Sequence, residues 1–451
     1  MPSKRTSRSQ VQPVAAPAAD TRRANAMLVV AVIAIYLVLA SAYNRLIPFK
    51  SGPEAASEIH SLALATNPDE AAHVANAEIY KSGRIPRFRS GDPDFEAHQP
   101  PLYYVLIAPL LLDEAKADQP AVYARWFGIV LGAITIWCLF ACLRAAFPTR
   151  GDLAATAAAF AGLLPMNVNL CASISNDILT NLIVVLGFWM IARAIEATVR
   201  KDGRAMLRES VGVGIVIAAG LYTKTSTLVL VPAVVVAAAL LAKERLVGAK
   251  AGAALAAVPI VLGTLLASPW LARNTRLYGD PVAQHIFQSA FVQTTMTTAR
   301  MLSHISAAEY CRLAVTQSFE SFWGVFDSMQ LFLPEQVYIG LALIGAATLV
   351  GAGIWIKRNS LGARERIALW VLATILAGTV AAFARFNMTF FQPQGRYLYT
   401  ALAPIGFLFA VGLAGLAQRF APASVGRLPV YVTAAMVLLN AGCIYWIASV
   451  F

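Results

Sequence analysis

The run AMLVVAVIAIYLVLASAY occupies residues 26–43 and contains no charged side chain. A helix needs about 20 apolar residues to cross the hydrocarbon core of a bilayer, and this run is close to that length. Because it lacks a small-residue cleavage signature, we interpret it as a retained span and not as a signal peptide. The whole chain of 451 residues is 58% hydrophobic and only 13% charged, which is too apolar for one soluble core. The sequence therefore predicts a polytopic membrane protein.

Ten further apolar runs predict an all-α protein with about eleven transmembrane helices. They lie near residues 119–145, 152–172, 176–196, 209–222, 225–242, 251–272, 336–356, 366–384, 396–417 and 428–450. For the division between the runs at 209–222 and 225–242, the alternative is one long helix. Residues 1–25 are expected to form a disordered basic tail on the cytoplasmic side, and residues 26–451 a single transmembrane domain.

The distribution of charge predicts the topology. If the N-terminus is cytoplasmic, the cytoplasmic segments hold 21 of the 36 basic residues and only 7 of the 24 acidic residues. This asymmetry is what the positive-inside rule expects, and it explains the net charge of +12 without a nucleic-acid partner. The two long loops, residues 44–118 and 273–335, then lie outside the membrane. We therefore expect the functional site on the outer face, with the first loop supplying its catalytic part.

The first outer loop contains the sequence NPDEAAH at residues 67–73. Asn67 is a favourable N-cap and Glu70 stands where a capping-box acid would reach back to it, so the pattern predicts the start of a short helix. Asp69 and His73 are four residues apart and would share one face of that helix. Asp69 and Glu70 could both be catalytic. The alternative is that they only stabilise the helix N-terminus through its dipole.

A second segment of this loop reads HQPPLYY at residues 98–104 and opens the apolar run 102–112. Eleven residues of helix rise only about 16 Å, so this run is too short to cross the membrane. The sequence predicts an interfacial helix along the outer leaflet, with His98 and Gln99 at its start. A turn followed by an aromatic belt of tyrosines is the alternative interpretation.

Several ionisable or phenolic residues fall at predicted outer ends of spans: Asp177, Lys224, Arg273, Arg385, Arg396 and Tyr397. Basic residues on that side run against the topology rule, and snorkelling to lipid head groups is the alternative explanation for Arg385 and Arg273. Lys224 and Arg396 are better candidates for a bound phosphate, because Lys offers a point charge and Arg a bidentate fork. For Asp177, an ordinary place in a helix start is the alternative.

In their order and sidedness these motifs resemble the membrane glycosyltransferases of the GT-C superfamily. That superfamily includes the dolichyl-phosphate-mannose protein mannosyltransferases and the bacterial aminoarabinose and lipid A sugar transferases. The resemblance covers residues 26 to about 417, is closest to a bacterial branch, and leaves the sugar and the acceptor open. It rests on the Asp-Glu pair, the Pro-Pro-Leu-Tyr-Tyr segment, Asn176-Asp177, Leu-Tyr-Thr-Lys at 221–224, Trp-Leu-Ala-Arg-Asn at 270–274 and Gln-Gly-Arg-Tyr-Leu at 394–398.

The resemblance implies an inverting transfer of a hexose or pentose from a polyprenyl-phosphate donor to an envelope glycan, lipid or protein. The reaction would take place on the outer, periplasmic face of the plasma (inner) membrane. Asp69 would be the catalytic base with Glu70 beside it, and Asp177 the second essential acid. Many relatives have a basic residue before Pro-Pro-Leu, where this chain has Gln99, and His98 is the candidate substitute. The expected substrate or phosphate contacts are Lys224, Arg396, Tyr397, Arg273, His98, Gln99 and His73.

Two points stay open at this stage. A divalent metal is conceivable, since His73 and Glu70 are both possible ligands, but the sequence does not require a cofactor. The competing function is a lipid or solute transporter, or a flippase. Transporters usually place ionisable or broken-helix sites near the bilayer midplane, whereas here the charged residues lie near the ends of predicted spans. The sequence therefore favours a transferase.

Overall fold

The computed structural model describes residues 19–47, 49, 67–89, 95–113 and 119–450. Most of the predicted disordered tail lies outside these residues. Its last part is helical, because the first helix already begins at Ala19, before the predicted span.

The described chain is a bundle of α-helices with shorter helices at one end. In chain order they are α1 (Ala19–Leu46), α2 (Glu70–Lys81), α3 (Leu102–Ile107), α4 (Val122–Ala146), α5 (Gly151–Gly162), α6 (Pro165–Cys171), α7 (Asn176–Val199), α8 (Gly203–Leu221), α9 (Leu230–Lys243), α10 (Ala249–Tyr278), α11 (Gln284–Thr294), α12 (Thr298–Leu302), α13 (Ala307–Trp323), α14 (Glu335–Arg358), α15 (Ala363–Asn387), α16 (Leu402–Phe420) and α17 (Leu428–Val450). Single 3₁₀ turns or segments lie at Phe95–His98, Ala108–Leu110, Thr225–Val229, Gly395–Ala401 and Pro422–Arg427. Strands β1 (Val325–Phe326) and β2 (Leu331–Phe332) form a small antiparallel pair.

The all-α polytopic architecture predicted from the apolar runs is confirmed. Nine helices of the described residues are long and apolar enough to cross a membrane, and ten if the bent pair α5 and α6 counts as one span. The eleventh predicted span corresponds to α8, which carries Arg204, Arg208 and Glu209 near its N-terminus. These charges exclude α8 from the nine by composition, so length and composition support nine or ten spans in the described residues, where the sequence predicted about eleven.

The predicted span at 152–172 is broken. α5 and α6 are bent by 66°, and the break occurs at Leu164, which is extended (φ −59°, ψ 123°) before Pro165. Proline disfavours helical backbone in the residue before it, which explains the position of the break. The bend brings α6 against the first outer loop, where the Asn169 side-chain amide donates a hydrogen bond to Asn67 Oδ1 at 3.0 Å.

The two ends of the bundle carry different groups. At the end predicted to be cytoplasmic, Arg364 pairs with Glu196 at 3.1 Å and Arg366 pairs with Glu244 at 3.0 Å. At the other end, α8 finishes at Leu221 and a new helical segment begins at Thr225. The chain therefore turns between two separate helices, as the two-span interpretation predicted.

Native cysteines allow the side of the membrane to be tested. Cys311 in α13 is exposed, whereas the other four cysteines are buried. We expect a membrane-impermeant maleimide to label Cys311 in intact spheroplasts and to leave the Cys311→Ser variant unlabelled. Arg204→Cys on the Cys311→Ser background tests the opposite end and should react only after permeabilisation. The reverse pattern would place α13 on the cytoplasmic side.

Candidate functional site

Four of the ionisable residues singled out in the sequence meet at the loop end of the bundle. They form two ion pairs. The Arg396 guanidinium donates a hydrogen bond from Nη2 to Asp69 Oδ2. Lys224 Nζ donates to Asp177 Oδ1 at 2.5 Å and to Asn176 Oδ1 at 3.2 Å. Each cation therefore neutralises one carboxylate, and the four charges sum to zero.

The Asp177 carboxylate is positioned by the start of α7. Ser175, not Asp177, is the N-cap of that helix, and its hydroxyl accepts a hydrogen bond from the Asp177 amide at 3.2 Å. Asp177 thus lies in the first turn, where the helix dipole favours an anion, and its side chain is free to bind Lys224. An ordinary place in a helix start therefore does not account for Asp177, because its side chain also binds Lys224. Lys224 reaches it from the extended turn (φ −163°, ψ 141°) that follows α8.

Arg396 is fixed by the segment around it. Its side chain is 3% exposed, and its Nε donates to Gln394 Oε1 at 2.7 Å. The guanidinium carbon lies 5.2 Å from the centre of the Tyr397 ring. The preceding Gly395 allows a close approach, since a Cβ there would lie 2.3 Å from the Phe322 amide nitrogen in α13. Only glycine permits this contact, which packs the segment that carries Arg396 against α13.

Asp69 has an unusual backbone. It occupies the N-cap position of α2 with φ 61° and ψ 1°, and its side chain caps nothing. Left-handed conformations are rare outside glycine, although Asp is one of the residues that tolerates them. The predicted helix start, with Asn67 as N-cap and Glu70 as capping-box acid, is therefore wrong, because α2 begins at Glu70 itself. The carboxylate of Asp69 points away from the helix end toward Arg396.

Asp69 is also the most accessible member of the two ion pairs. Its side chain is 34% exposed, compared with 12% for Asp177 and 20% for Lys224. Burial opposes ionisation of Asp69, but the adjacent Arg396 guanidinium outweighs that effect and lowers the pKa of the carboxyl group. The Asp69 side chain is thus a partly exposed, ionised carboxylate beside a buried arginine.

Glu70 lies in a different environment from its neighbour. Arg125 of α4 binds it through two hydrogen bonds, Nε to Oε1 at 2.7 Å and Nη2 to Oε2 at 2.6 Å. Both side chains are buried, with 2% and 5% exposed for Arg125 and Glu70. The Ile174 amide donates to Glu70 Oε1 at 3.0 Å, and Arg125 Nη1 donates to the Ile47 carbonyl at 2.6 Å. Both oxygens of Glu70 are thus engaged in a structural junction, which is not what its expected catalytic place implied.

Sequence reasoning missed Arg125 because it lies within the predicted span 119–145. One signal was available. A charged residue within an apolar run usually has a partner of opposite charge, and Glu70 was an acid without an assigned cationic partner. The same reasoning applied to Arg125 would have suggested that pair.

A second buried polar group lies beside the ion pairs. His73 Nδ1 is 2.9 Å from the Tyr104 hydroxyl, and that hydroxyl is 3.5 Å from Glu96 Oε2. Burial lowers the pKa of His73 more than the Glu96 carboxylate raises it, and burial raises the pKa of Glu96. Both shifts favour neutral forms. Tyr103 and Tyr104 are fully buried, so the aromatic-belt interpretation of these tyrosines is wrong, and α3 instead exposes Val105.

Three expected substrate contacts lie away from the two ion pairs. His98 packs among aromatic rings, with its ring centre 4.7 Å from that of Phe287. Among the described residues, no hydrogen bond joins the Gln99 side chain to the ion pairs. Arg273 donates to the Pro86 carbonyl and lies over the Trp270 ring at 4.6 Å. His98 and Arg273 thus link the two long loops, and within the described ranges no hydrogen bond or ion pair joins Arg273 to Lys224 or Arg396.

A metal at the suggested place does not fit the residues. Within the described ranges, no three His, Cys, Asp or Glu side chains come together as a ligand set. His73 bonds Tyr104, and Glu70 is held by Arg125, so the two possible ligands face different partners. We derive no chemical step through a metal.

Solved structures share this fold at low sequence identity. ArnT from Cupriavidus metallidurans bound to undecaprenyl phosphate aligns with a TM-score of 0.53 and 14% identity, covering 94% of this chain and 73% of that one. Apo ArnT from the same organism gives 0.52 and 16%, covering 91% and 62%. The apo oligosaccharyltransferase from Archaeoglobus fulgidus gives 0.51 and 12%, with 94% of this chain covered. The chain spans only 55% of the length of that oligosaccharyltransferase.

Sequence comparison gives a partial match. Residues 99–272 match the family model described as dolichyl-phosphate-mannose-protein mannosyltransferase. No curated protein matches the chain. The structural neighbours share the fold of this chain, and the family model matches less than half of its length. The resemblance drawn from the motifs is thus supported independently.

The Glu70 and Arg125 junction predicts a stability effect. Glu70→Gln leaves the buried Arg125 charge without a counter-charge, and breaking a buried ion pair in this way costs about 3–5 kcal/mol. We expect the melting temperature in detergent to fall clearly. Glu78→Gln is the matched control, because the Glu78 side chain on the same helix is 43% exposed and pairs with Lys81 at 3.4 Å. Equal melting temperatures for the two variants would show that the junction does not hold the loop.

Proposed function

We propose that this chain transfers a sugar from a polyprenyl-phosphate-linked donor to an acceptor at the loop end of the bundle. The observation that carries the proposal is the meeting of Lys224 and Arg396 with Asp69 and Asp177. These residues come from four separate parts of the chain. Such a transfer needs two cations and an accessible carboxylate. The cations must stabilise the leaving group, and the carboxylate must activate the acceptor.

The two cations are suited to the departing phosphate. Negative charge grows on that phosphate as the bond to the anomeric carbon breaks, and fixed positive charge in a water-poor site stabilises it most. Lys224 and Arg396 are held in place by Asn176 and Gln394, so little reorganisation is needed. The undecaprenyl phosphate bound to the similarly folded ArnT structure supports a polyprenyl donor.

Asp69 is our candidate for the base. It would take the proton from an acceptor hydroxyl or amine as that group attacks the anomeric carbon in a single, inverting displacement. The lowered pKa makes it a weak base, so orientation of the two substrates and the field of the cations would supply most of the acceleration. Asp177 would hold Lys224, and Glu70 would position Asp69 through Arg125 without taking part in proton transfer.

The distribution of basic residues supports a site on the outer face of the plasma membrane. A polyprenyl donor and an acceptor of the cell envelope would meet there. We propose a hexose or pentose as the transferred sugar and a glycan, lipid or protein as the acceptor.

The role of Asp69 can be tested in cells that lack the gene. Complementation with Asp69→Asn keeps the shape of the side chain but removes its ability to accept a proton. Turnover should fall by about two to four orders of magnitude, the range for a positioned general base. Mass spectrometry of the envelope glycans would detect the missing sugar, and Glu78→Gln should restore it fully. Wild-type glycans in cells carrying Asp69→Asn would remove Asp69 from the mechanism.

The two cations can be tested by donor binding. Lys224→Ala and Arg396→Ala should each weaken binding of undecaprenyl phosphate by about tenfold or more, since each loses a charge-assisted contact. Arg385→Ala is the control, because this cation lies exposed at the end of α15 and should bind the lipid as the wild type does. Melting temperatures would separate lost binding from lost folding. Unchanged affinity in both folded variants would contradict the phosphate assignment.

A further inference from the structure

The two cations of the site are already occupied by carboxylates of the chain itself. Arg396 bonds Asp69, and Lys224 bonds Asp177. The pairs also influence each other, because the positive charge of Lys224 acts on Asp69 and that of Arg396 acts on Asp177. With two positive and two negative charges the site is neutral without any ligand. An arriving phosphate must therefore enter beside two like charges.

Phosphate and carboxylate make the same demand on these cations. Both are oxygen anions that accept charge-assisted hydrogen bonds from an ammonium or a guanidinium. Lys has three donors and Arg has five, so the number of donors is not limiting. Charge is limiting, because a partly buried anion without compensation is costly. An anion in this site competes with Asp69 and Asp177 for the compensating charge.

The two pairs differ in how easily they can separate. Asp177 and Lys224 are held between the start of α7 and the turn after α8, and Asn176 also bonds Lys224 at 3.2 Å. Asp69 instead lies at the tip of a loop helix and is 34% exposed. Water can replace Arg396 around the Asp69 carboxylate at smaller cost. Exchange should therefore begin at Asp69.

We propose that Asp69 and Asp177 set the affinity of this site for a lipid phosphate by competing with it, and that phosphate binding draws Arg396 away from Asp69. The inference rests on the proposed function, since it assigns the phosphate to the same two cations. The freed Asp69 carboxylate then faces the acceptor as an unpaired base. Activation of the base would follow donor binding, and the donor would bind before the acceptor.

The alternative is that both carboxylates are only counter-ions that keep the cations in place. The two ideas predict opposite signs. If the carboxylates compete, removing one negative charge should strengthen binding of the phosphate. If they only support the cations, their removal should weaken binding or leave it unchanged, because Lys224 and Arg396 would lose their positions.

The experiment measures binding of undecaprenyl phosphate and of inorganic phosphate to the full-length protein in nanodiscs. The variants are Asp69→Asn, Asp177→Asn, Asp69→Glu and Glu78→Gln. We expect Asp69→Asn and Asp177→Asn to bind undecaprenyl phosphate about tenfold more tightly than the wild type, and the effect of Asp69→Asn to be the larger. Asp69→Glu keeps the negative charge and should show no gain. Glu78→Gln makes the same change of charge on an exposed part of α2 and should also show none.

The outcomes separate this inference from the proposed function. If the wild type binds undecaprenyl phosphate but Asp69→Asn and Asp177→Asn bind it no more tightly, the competition is overturned and the proposed function stands. If the wild type binds inorganic phosphate only, or neither probe, the lipid-phosphate assignment and the inference both fail. Melting temperatures identify folded variants, and if Asp69→Asn does not fold, Asp177→Asn decides.

Discussion

The buried ion pair between Glu70 and Arg125 is the interaction on which the loop end of this protein depends. Both charges are almost completely removed from solvent, and a buried charge that loses its partner is strongly unfavourable. Removing either residue would leave the charge of the other buried and unpaired. Because Arg125 also bonds the Ile47 carbonyl at 2.6 Å, the pair joins α2 to α4 and to the end of α1. The loop helix is thereby attached to the bundle at its first residue.

This junction determines where both carboxylates of the site lie. Asp69 directly precedes Glu70, so fixing Glu70 leaves the Asp69 backbone little freedom. Its left-handed conformation (φ 61°) is stable only because the surrounding contacts require it. Glu70 also accepts the Ile174 amide hydrogen bond at 3.0 Å, and Ile174 lies three residues before Asp177. A single carboxylate thus aligns the two acids that bind the cations.

The sequence predicted the membrane architecture and the members of the two ion pairs, but not their local geometry. Charges at the ends of apolar runs are costly unless paired, which is why Lys224 and Arg396 could be singled out before any contact was known. The capping box failed for the opposite reason. Glu70 satisfies that local pattern, but the buried Arg125 on α4 is a far stronger partner for its carboxylate. The helix therefore begins at Glu70 and not near Asn67. Capping rules cannot reveal this pair, because it joins two distant parts of the chain, and only the charge of Arg125 within an apolar run pointed to it.

The tyrosines of α3 show the same limit. Tyr103 and Tyr104 follow two prolines in a short apolar helix, a composition typical of both a membrane interface and a buried contact. The position of His73 distinguishes these two environments, since His73 Nδ1 lies 2.9 Å from the Tyr104 hydroxyl and makes it a buried contact. That contact packs α3 against α2. The charges of the site belong to two ion pairs whose charges sum to zero. The fold can therefore remain stable without a ligand and still present two cations when an anion arrives.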